Sequence, residues 1–521
     1  MIKKISLNSF LKVSFVSLII YNILLIFYFA WNGESEYIMT AKGILEGFLP
    51  FVFSGSHKTP ATGFFMAFVF YFLPYNVFVM RFAVMAVNLV TMALLWKTAE
   101  SFNFKNEVKW LIIILYYITL ILFGGTDLRA ETFMAFFALL SFDIYINNKS
   151  IILKPVNNLI LIGILIYITF LFKQPGLLYL FGYIVFFILM VFLGREKPVN
   201  ALKRIIVVSF TTVGCIGLFF YFYHTMGLAG LVYDNIFPQV VNAYPMGFSL
   251  KYLVRFFTDQ FPLFWFLFFL GTITVLKSLK NEKNEKIILL FMLAYFSLSI
   301  NIQRFWNYYT LMALPFLILI AGFGIRAVSE SALFEKYKKT VIIILILLAS
   351  PALLRMGLNT ARFFYFFAKE CPASADFKAS GNPLSAYNIW HDLALAKKIR
   401  VSSADREILA MYNDHRYYFL ADRFPPNRNI IPPAPNFDAD MANAVISKNI
   451  RSIIILDYKS FDMKSPVGEV ITKYFPKKEV LRNSPTQVIR FYRDVPAALF
   501  TNARWDMTKL DWVLNSQEIK K

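Results

Sequence analysis

Residues 308–327 read YYTLMALPFLILIAGFGIRA, and Arg326 is the only charged residue in this run. A transmembrane helix needs about 20 mostly apolar residues, so this stretch by itself indicates a helix that crosses a bilayer. About eleven runs of this kind occupy the first two thirds of the chain: 10–31, 79–97, 108–124, 131–148, 157–172, 176–194, 204–223, 258–277, 286–302, 308–327 and 339–357. They predict an all-α polytopic membrane domain.

The composition supports a membrane protein. The chain has 521 residues, of which 58% are hydrophobic and 16% are charged, whereas soluble domains average about 45–50% apolar and about 25% charged residues. Cys215 and Cys371 lie far apart and provide neither a disulfide framework nor a metal cluster. The net charge is +21, but the Lys and Arg residues are scattered between apolar runs. That distribution indicates membrane topology and argues against a nucleic-acid partner.

One further apolar run, TGFFMAFVFYFLP at 62–74, is short and ends at Pro74. If it does not span, the inner loops carry 19 Lys and Arg residues and the outer loops carry 7; if it spans, this bias inverts. Because basic residues concentrate in cytoplasmic loops, the first arrangement is favoured. We therefore expect a half-inserted or interfacial helix at 62–74, a cytoplasmic N-terminus and an extracytoplasmic C-terminal region.

The composition changes after about residue 358, where hydropathy falls and prolines and charges rise, as in FPPNRNIIPPAPNFD at 424–438. Residues 1–357 are predicted to form the multi-span domain, and residues 358–521 a small soluble α/β domain. Within that domain the patterns predict strands at 451–457, 477–483 and 487–495 and a short helix at 467–475.

Four segments on the predicted outer side carry an unusual set of polar residues. They are the long loop 32–61 with Glu34, Glu36, Tyr37, His57 and Lys58; GGTDLRAE with Asp127, Arg129 and Glu131; FKQPG with Lys173 and Gln174; and NIQRFWNYY with Arg304, Asn307, Tyr308 and Tyr309. In the loop, Ser35 or Gly33 can start a helix and Gly47 can end it. Ionisable residues near membrane depth are costly and by default mark functional sites.

Carboxylates together with isolated cations suit a reaction that has an anionic leaving group. A carboxylate can take a proton from an attacking hydroxyl, and Lys or Arg can hold a phosphate. Each residue also has a plain structural alternative. These alternatives are solvated first-turn acids at Glu34 and Glu36, a mutual ion pair of Arg129 with Glu131, a snorkelling stem at Lys173, an interface anchor at Arg304 and a loop position at His57.

At this point the residues resemble a known family. The segment GESEYIMTAKGILEGFLPFVFSGSHKTPATGFFMAFVFYFLP at 33–74 is similar to the first outer loop of the GT-C membrane glycosyltransferases. The similar group is that of the protein O-mannosyltransferases and aminoarabinose lipid A transferases, which is glycosyltransferase family 39-like. Glu34 and Tyr37 match an acidic pair followed by Tyr. His57, Lys58 and Pro60 match a His-Lys-Pro-Pro-like element.

Three later segments extend the resemblance over most of residues 1–357: DLRAETFMAFFALL, FKQPGLLYL and RFWNYYTLMALP. The resemblance implies catalytic acids at Glu34 and Glu36. It implies substrate-binding residues at Tyr37, His57, Lys58, Arg129, Glu131, Lys173, Gln174, Arg304, Tyr308 and Tyr309. The sequence departs from the family at Gly33, where the first acid of the pair would stand, at Ser56, where an acid usually precedes the His, and at Tyr308, where His is frequent.

The implied reaction transfers a sugar from a polyprenyl-phosphate donor to a lipid, glycan or protein acceptor at the outer membrane boundary, with inversion. The expected location is the inner (plasma) membrane, among membrane lipids. No cofactor or metal site is assigned, and a divalent cation is left open. Two alternatives stand beside it. Gly33 motivates an inactive relative that binds lipid phosphate; a secondary transporter or flippase would place its binding residues near the midplane and show repeats.

Overall fold

The structure of the chain is a computed structural model. It describes residues 6–29, 35–53, 59–147, 155–236, 261–281, 284–301, 307–370, 377, 382–412, 416–426, 437–483, 486–506 and 511–514.

Most of the described residues are helical. The α-helices are α1 (Leu7–Ile26), α2 (Ser35–Leu45), α3 (Ala61–Phe72), α4 (Val77–Glu100), α5 (Asn106–Leu122), α6 (Ala130–Ile146), α7 (Pro155–Phe172), α8 (Leu178–Phe192), α9 (Pro198–Thr225), α10 (Ala229–Ile236), α11 (Pro262–Asn281), α12 (Glu285–Leu298), α13 (Thr310–Ser329), α14 (Ala332–Lys336), α15 (Lys338–Lys369), α16 (Ile389–Val401), α17 (Arg416–Leu420), α18 (Phe437–Ser447) and α19 (Pro466–Tyr474). Every apolar run predicted to span overlaps one of these helices, which confirms the polytopic α-helical fold.

Within the described ranges, six helices are long and apolar enough to cross a membrane: α1, α4, α8 with the short turn before it, α9, α13 and α15. The apolar helix α3 has 12 residues. At 1.5 Å per residue it is about 18 Å long, less than the hydrocarbon thickness of about 30 Å. Its length agrees with the interfacial helix expected at 62–74, whose placement stays a prediction.

One compact unit comprises Met1–Leu24, Arg81–Ala229 and Tyr244–Asn359. Helix α13 lies at its centre and is buried from Thr310 to Gly322; it packs on α11, α12, α5 and α6. The contact of α13 with α11 is very close. A Cβ at Gly271 would lie 1.9 Å from the Ile320 carbonyl oxygen, and a Cβ at Gly324 would lie 2.1 Å from the Leu267 oxygen. Small residues allow such backbone approach between membrane helices.

A second compact unit comprises Leu25–Met80, Gly230–Ala243 and Thr360–Lys521. Its four-stranded sheet has the order β1-β2-β4-β3. The strands are β1 (Ala410–Tyr412), β2 (Ser452–Ile455), β3 (Lys477–Arg482) and β4 (Val488–Tyr492), followed by the separate pair β5 (Ala503–Asp506) and β6 (Asp511–Leu514). Strand β1 runs parallel to β2, and β4 pairs antiparallel with β2 and β3. The predicted strands and the helix at 467–475 are confirmed.

Helix α2 of the first loop also belongs to this second unit. It starts at Ser35 and is followed by Gly47 at φ 87°, a left-handed conformation that glycine adopts without steric cost at a helix C-terminus. The expected helix end at Gly47 is therefore confirmed. The expected start at Ser35 or Gly33 stays a prediction, because residues 31–34 lie outside the described part of the chain. Helix α15 continues from Lys338 to Lys369; the division of the chain at residue 357 stays a prediction.

We expect Gly271→Ala and Gly324→Ala each to destabilise the protein, because the new methyl group meets backbone that cannot rotate away. Overpacking typically costs about 1–3 kcal/mol. The matched control is Gly217→Ala in α9, where a Cβ has open space and Ala favours the helix by up to about 1 kcal/mol. Thermal unfolding in detergent micelles measures all three. Equal melting temperatures for Gly271→Ala and Gly217→Ala would contradict the close crossing.

Candidate functional site

The candidates Asp127 and Glu131 lie in and just after the tight turn between α5 and α6. Gly124 has φ 77°, and the Gly125 amide donates to the Leu120 carbonyl at 2.8 Å. The Asn88 side chain of α4 donates to the Gly125 carbonyl at 2.9 Å and ties the turn to a neighbouring helix. The turn therefore places Asp127 just before α6, on whose first turn Glu131 lies.

Lys173 lies in a second turn, between α7 and α8. It precedes the 3₁₀-helix Gln174–Leu177, and its carbonyl accepts from the Gly176 amide at 2.9 Å. A Cβ at Gly176 would come within 2.6 Å of the Thr169 carbonyl oxygen. Only glycine fits there without displacing backbone, so the Gln-Pro-Gly sequence turns tightly against α7 and directs Lys173 inward.

Glu131 and Lys173 form a buried ion pair. Lys173 Nζ lies 2.5 Å from Glu131 Oε1, and the two side chains are 11% and 2% exposed. The snorkelling alternative for Lys173 is therefore wrong, because a snorkelling ammonium would reach water. The hydrogen-bonded partner of Glu131 is Lys173, 42 residues along the chain, and this pair joins the start of α6 to the end of α7.

Two tyrosines from the segment before α13 cover these cations. Arg129 Cζ lies 4.6 Å from the centre of the Tyr308 ring, and Lys173 Nζ lies 4.5 Å from the centre of the Tyr309 ring. These distances allow cation–π attraction, which strengthens where water is excluded. The structure thus brings together residues from three of the four segments selected by sequence. Their functional roles stay predictions.

A second ion pair at this end of the helices was missed in the sequence. Arg81 Nη2 lies 3.9 Å from Asp127 Oδ1, and the side chains are 3% and 12% exposed. Arg81 stands near the start of the apolar run 79–97. A charged residue inside a predicted span marks a functional candidate, so this signal was available. We call Arg81, Asp127, Arg129, Glu131 and Lys173 the charged cluster.

Electrostatics keep Lys173 charged. Burial lowers the pKa of its ammonium group, but the attraction of Glu131 outweighs burial and the pKa is raised above its ordinary value. Burial raises the pKa of Asp127, although Arg81 and Arg129 oppose that shift. Both residues lie in turns between helices. The cluster can therefore present positive charge to an anion.

The remaining candidates are placed differently. Glu34, His57, Lys58 and Arg304 lie outside the described residues. The backbone of Glu36 forms the start of α2, but its side chain is not described. Tyr37 is 3% exposed in α2, and Gln174 is half-buried in its turn. Among the described residues, no group of three or more His, Cys, Asp or Glu side chains could hold a metal ion.

Comparison with solved structures identifies the fold. ArnT from Cupriavidus metallidurans, an aminoarabinose lipid A transferase, matches 92% of this chain and 97% of its own, with a TM-score of 0.61 and 10% identity. ArnT bound to undecaprenyl phosphate matches 93% and 98%, with a TM-score of 0.60 and 10% identity. The Archaeoglobus fulgidus oligosaccharyltransferase matches 87% and 70%, with a TM-score of 0.53 and 10% identity. The chain has the GT-C fold.

No protein-family model matches the sequence, and no curated protein matches it. At 10% identity the structural likeness establishes the fold alone.

We expect Lys173→Met to destabilise the protein by about 3–5 kcal/mol, because it leaves the Glu131 carboxylate buried without its partner. The double variant Glu131→Leu/Lys173→Met should recover most of that loss, since an apolar pair often replaces a buried ion pair at little cost. Arg326→Met is the control: its partner Glu330 is 44% exposed, and exposed pairs contribute about 0–1 kcal/mol. Melting temperatures of the three variants measure these effects. If the double variant were no more stable than Lys173→Met, the unpaired Glu131 carboxylate would be excluded as the cause of the destabilisation.

Proposed function

We propose that this protein is a membrane glycosyltransferase. It would take a sugar from a polyprenyl-phosphate-linked donor and transfer it to a lipid, glycan or protein acceptor at the outer face of the membrane. The observation that carries the proposal is the charged cluster, buried at the helix ends of a fold shared with ArnT. The ArnT structure with undecaprenyl phosphate supports a lipid-phosphate ligand.

The net charge of the charged cluster suits a reaction in which a lipid phosphate is the leaving group. Its three cations exceed its two carboxylates by one, so the described cluster has a net positive charge. A sugar-linked lipid phosphate carries one negative charge. It gains a second when the bond from the anomeric carbon to the phosphate oxygen breaks. Cations held in a site of low polarity stabilise that developing charge more than they stabilise the bound donor, which is how a site lowers the barrier.

Within this proposal, the donor phosphate is held by Lys173, Arg129 and Arg304. Arg129 is half-buried and can present its guanidinium fork to two phosphate oxygens. Lys173 is more deeply buried and bound to Glu131, so it contributes its charge from a fixed position. The same proposal includes the remaining predicted substrate-binding residues, which are Tyr37, His57, Lys58, Glu131, Gln174, Tyr308 and Tyr309.

We assign the general base to Glu34. The assignment rests on its match to the second position of the family's acidic pair, beside Gly33. The carboxylate would take the proton from the acceptor hydroxyl while that oxygen attacks the anomeric carbon and the lipid phosphate departs. One such displacement inverts the configuration of the sugar. Glu36 is the alternative base. Because Gly33 replaces the first acid, an inactive relative that binds lipid phosphate is the competing function.

One experiment separates these functions. Lipids bound to the purified protein and to Glu34→Gln are identified by mass spectrometry, and sugar transfer is then measured with the donor found. We expect a polyprenyl-phosphate sugar on both proteins. Turnover should fall by about 10²–10⁴-fold in Glu34→Gln, the usual contribution of a general base, and by less in the control Glu36→Gln. Donor on a wild-type protein without turnover would identify the inactive relative, and absence of the lipid would refute the proposal.

We also propose the orientation of the chain: N-terminus in the cytoplasm, residues 358–521 as an extracytoplasmic domain, and insertion in the inner (plasma) membrane. The charge bias of the loops supports it. A cysteine introduced at position 58 should react with a membrane-impermeant reagent in intact cells, and one at position 283 should react only after permeabilisation. Both cysteines are introduced into a Cys215→Ser/Cys371→Ser background, which removes the two native thiols and serves as the unlabelled control. Reaction at 283 but not at 58 would reverse the topology.

A further inference from the structure

The second unit contains a buried lysine that the charged cluster does not explain. Lys42 lies near the end of α2, and its side chain is 5% exposed. Its Nζ lies 2.9 Å from Asp422 Oδ1 and donates to the Arg423 carbonyl at 3.0 Å. It also lies 4.0 Å from the centre of the Phe424 ring. A segment of the first loop is thus held by residues 380 positions later.

A second ion pair also joins the first loop to the α/β domain, four residues after Lys42, at Glu46. Arg406 Nη2 lies 2.8 Å from Glu46 Oε2, and its guanidinium carbon lies 4.9 Å from the centre of the Phe424 ring. Phe424 stacks on Phe500 with ring centres 4.1 Å apart. Phe53 of the first loop meets Phe500 edge-on at 5.6 Å. We call Lys42, Glu46, Arg406 and Asp422 the loop anchor.

The backbone of the anchor is strained on the α/β side. Asp422 has φ 52° and Arg406 has φ 54°. The left-handed region is unfavourable for a residue with a Cβ, and more so for Arg than for Asp. Strained residues persist where surrounding contacts hold them, and they point to a functional constraint. Here both strained residues are the ones that contact α2 through charge.

Apolar packing alone could hold α2 against the α/β domain. Burying the Lys42 ammonium is costly, and its partner Asp422 is 43% exposed, so this pair is a weak source of stability. What charged pairs add is a defined register, since each donor must meet one acceptor. Helix α2 begins one residue after Glu34 and carries Tyr37. From Tyr37 to Lys42 the helix rises about 7.5 Å, so an anchor at its end also determines where its beginning lies.

We propose that the loop anchor is a positioning device through which the α/β domain sets the register of α2 for sugar transfer. This inference rests on the proposed function. Lys42, Glu46, Arg406 and Asp422 are then positioning residues: they touch neither donor nor acceptor and act through the helix that they hold. The α/β domain accordingly takes part in catalysis.

The test uses the full-length protein in lipid nanodiscs and exchanges the charges of one pair. Glu46→Arg and Arg406→Glu are compared with the double variant Glu46→Arg/Arg406→Glu, which restores an opposite pair. We expect amide hydrogen exchange in α2 to rise about tenfold or more in each single variant, as for a lost charged hydrogen bond. Turnover should fall by about 10²-fold, the cost of a small misplacement, with the donor KM unchanged. The double variant should recover both.

The control is Lys477→Met, which removes the exposed ion pair that Lys477 on β3 of the same domain forms with Asp494. It should change neither α2 exchange nor turnover. Exchange in β2 and β4 reports whether each variant is folded. Unchanged α2 exchange in both single variants would overturn the anchor. If turnover fell only as folding was lost, and the double variant did not recover it, the four residues would contribute to packing alone and the positioning role would be overturned. The exchange measurement decides the anchor even if the wild-type protein transfers no sugar, which would count against the proposed function alone.

Discussion

A bilayer offers a peptide group no hydrogen-bond partner, and the membrane part of this protein follows from that constraint. Every apolar run closes its own backbone bonds as a helix. Charged side chains at membrane depth are costly unless they face the interior of the helix bundle or pair with one another. Helix α13 is buried along nearly its whole length and carries no charge before Arg326. The helices pack without a hydrophobic force between them, so close backbone contact matters, as at Gly271 and Gly324.

The same constraint explains why the charged cluster is built as it is. An unpaired carboxylate at the start of α6 would be costly to bury, and Lys173 offsets that cost because it binds Glu131 directly. Each carboxylate of the cluster lies near a cation, yet the cations remain in excess. The arrangement therefore keeps an excess of positive charge beside helix ends without leaving a carboxylate of the cluster unpaired.

In the second unit, a helix of the first loop is held by residues from a distant part of the chain. Helix α2 has 11 residues, and isolated helices of that length are marginal in water. Its stability comes from tertiary contacts: the ion pairs of Lys42 and Glu46 and the aromatic contacts of Phe53. The loop and the α/β domain consequently form one structural unit, although hundreds of residues separate them in sequence.

Local patterns in the sequence were enough to predict the apolar helices, the end of α2, helix α19, the strands β2, β3 and β4 and the polar segments worth examining. They did not predict the helices α10, α14, α16, α17 and α18 or the strands β1, β5 and β6. Hydrophobic periodicity and turn residues act over a few positions, so they can be read directly. The charge pairings were decided only by the tertiary structure. Glu131 binds Lys173, which lies 42 residues along the chain. Arg81 pairs with Asp127, and Lys42 pairs with Asp422; no local pattern indicates these partners. An ion pair depends on distances between packed elements, which are set by the whole fold.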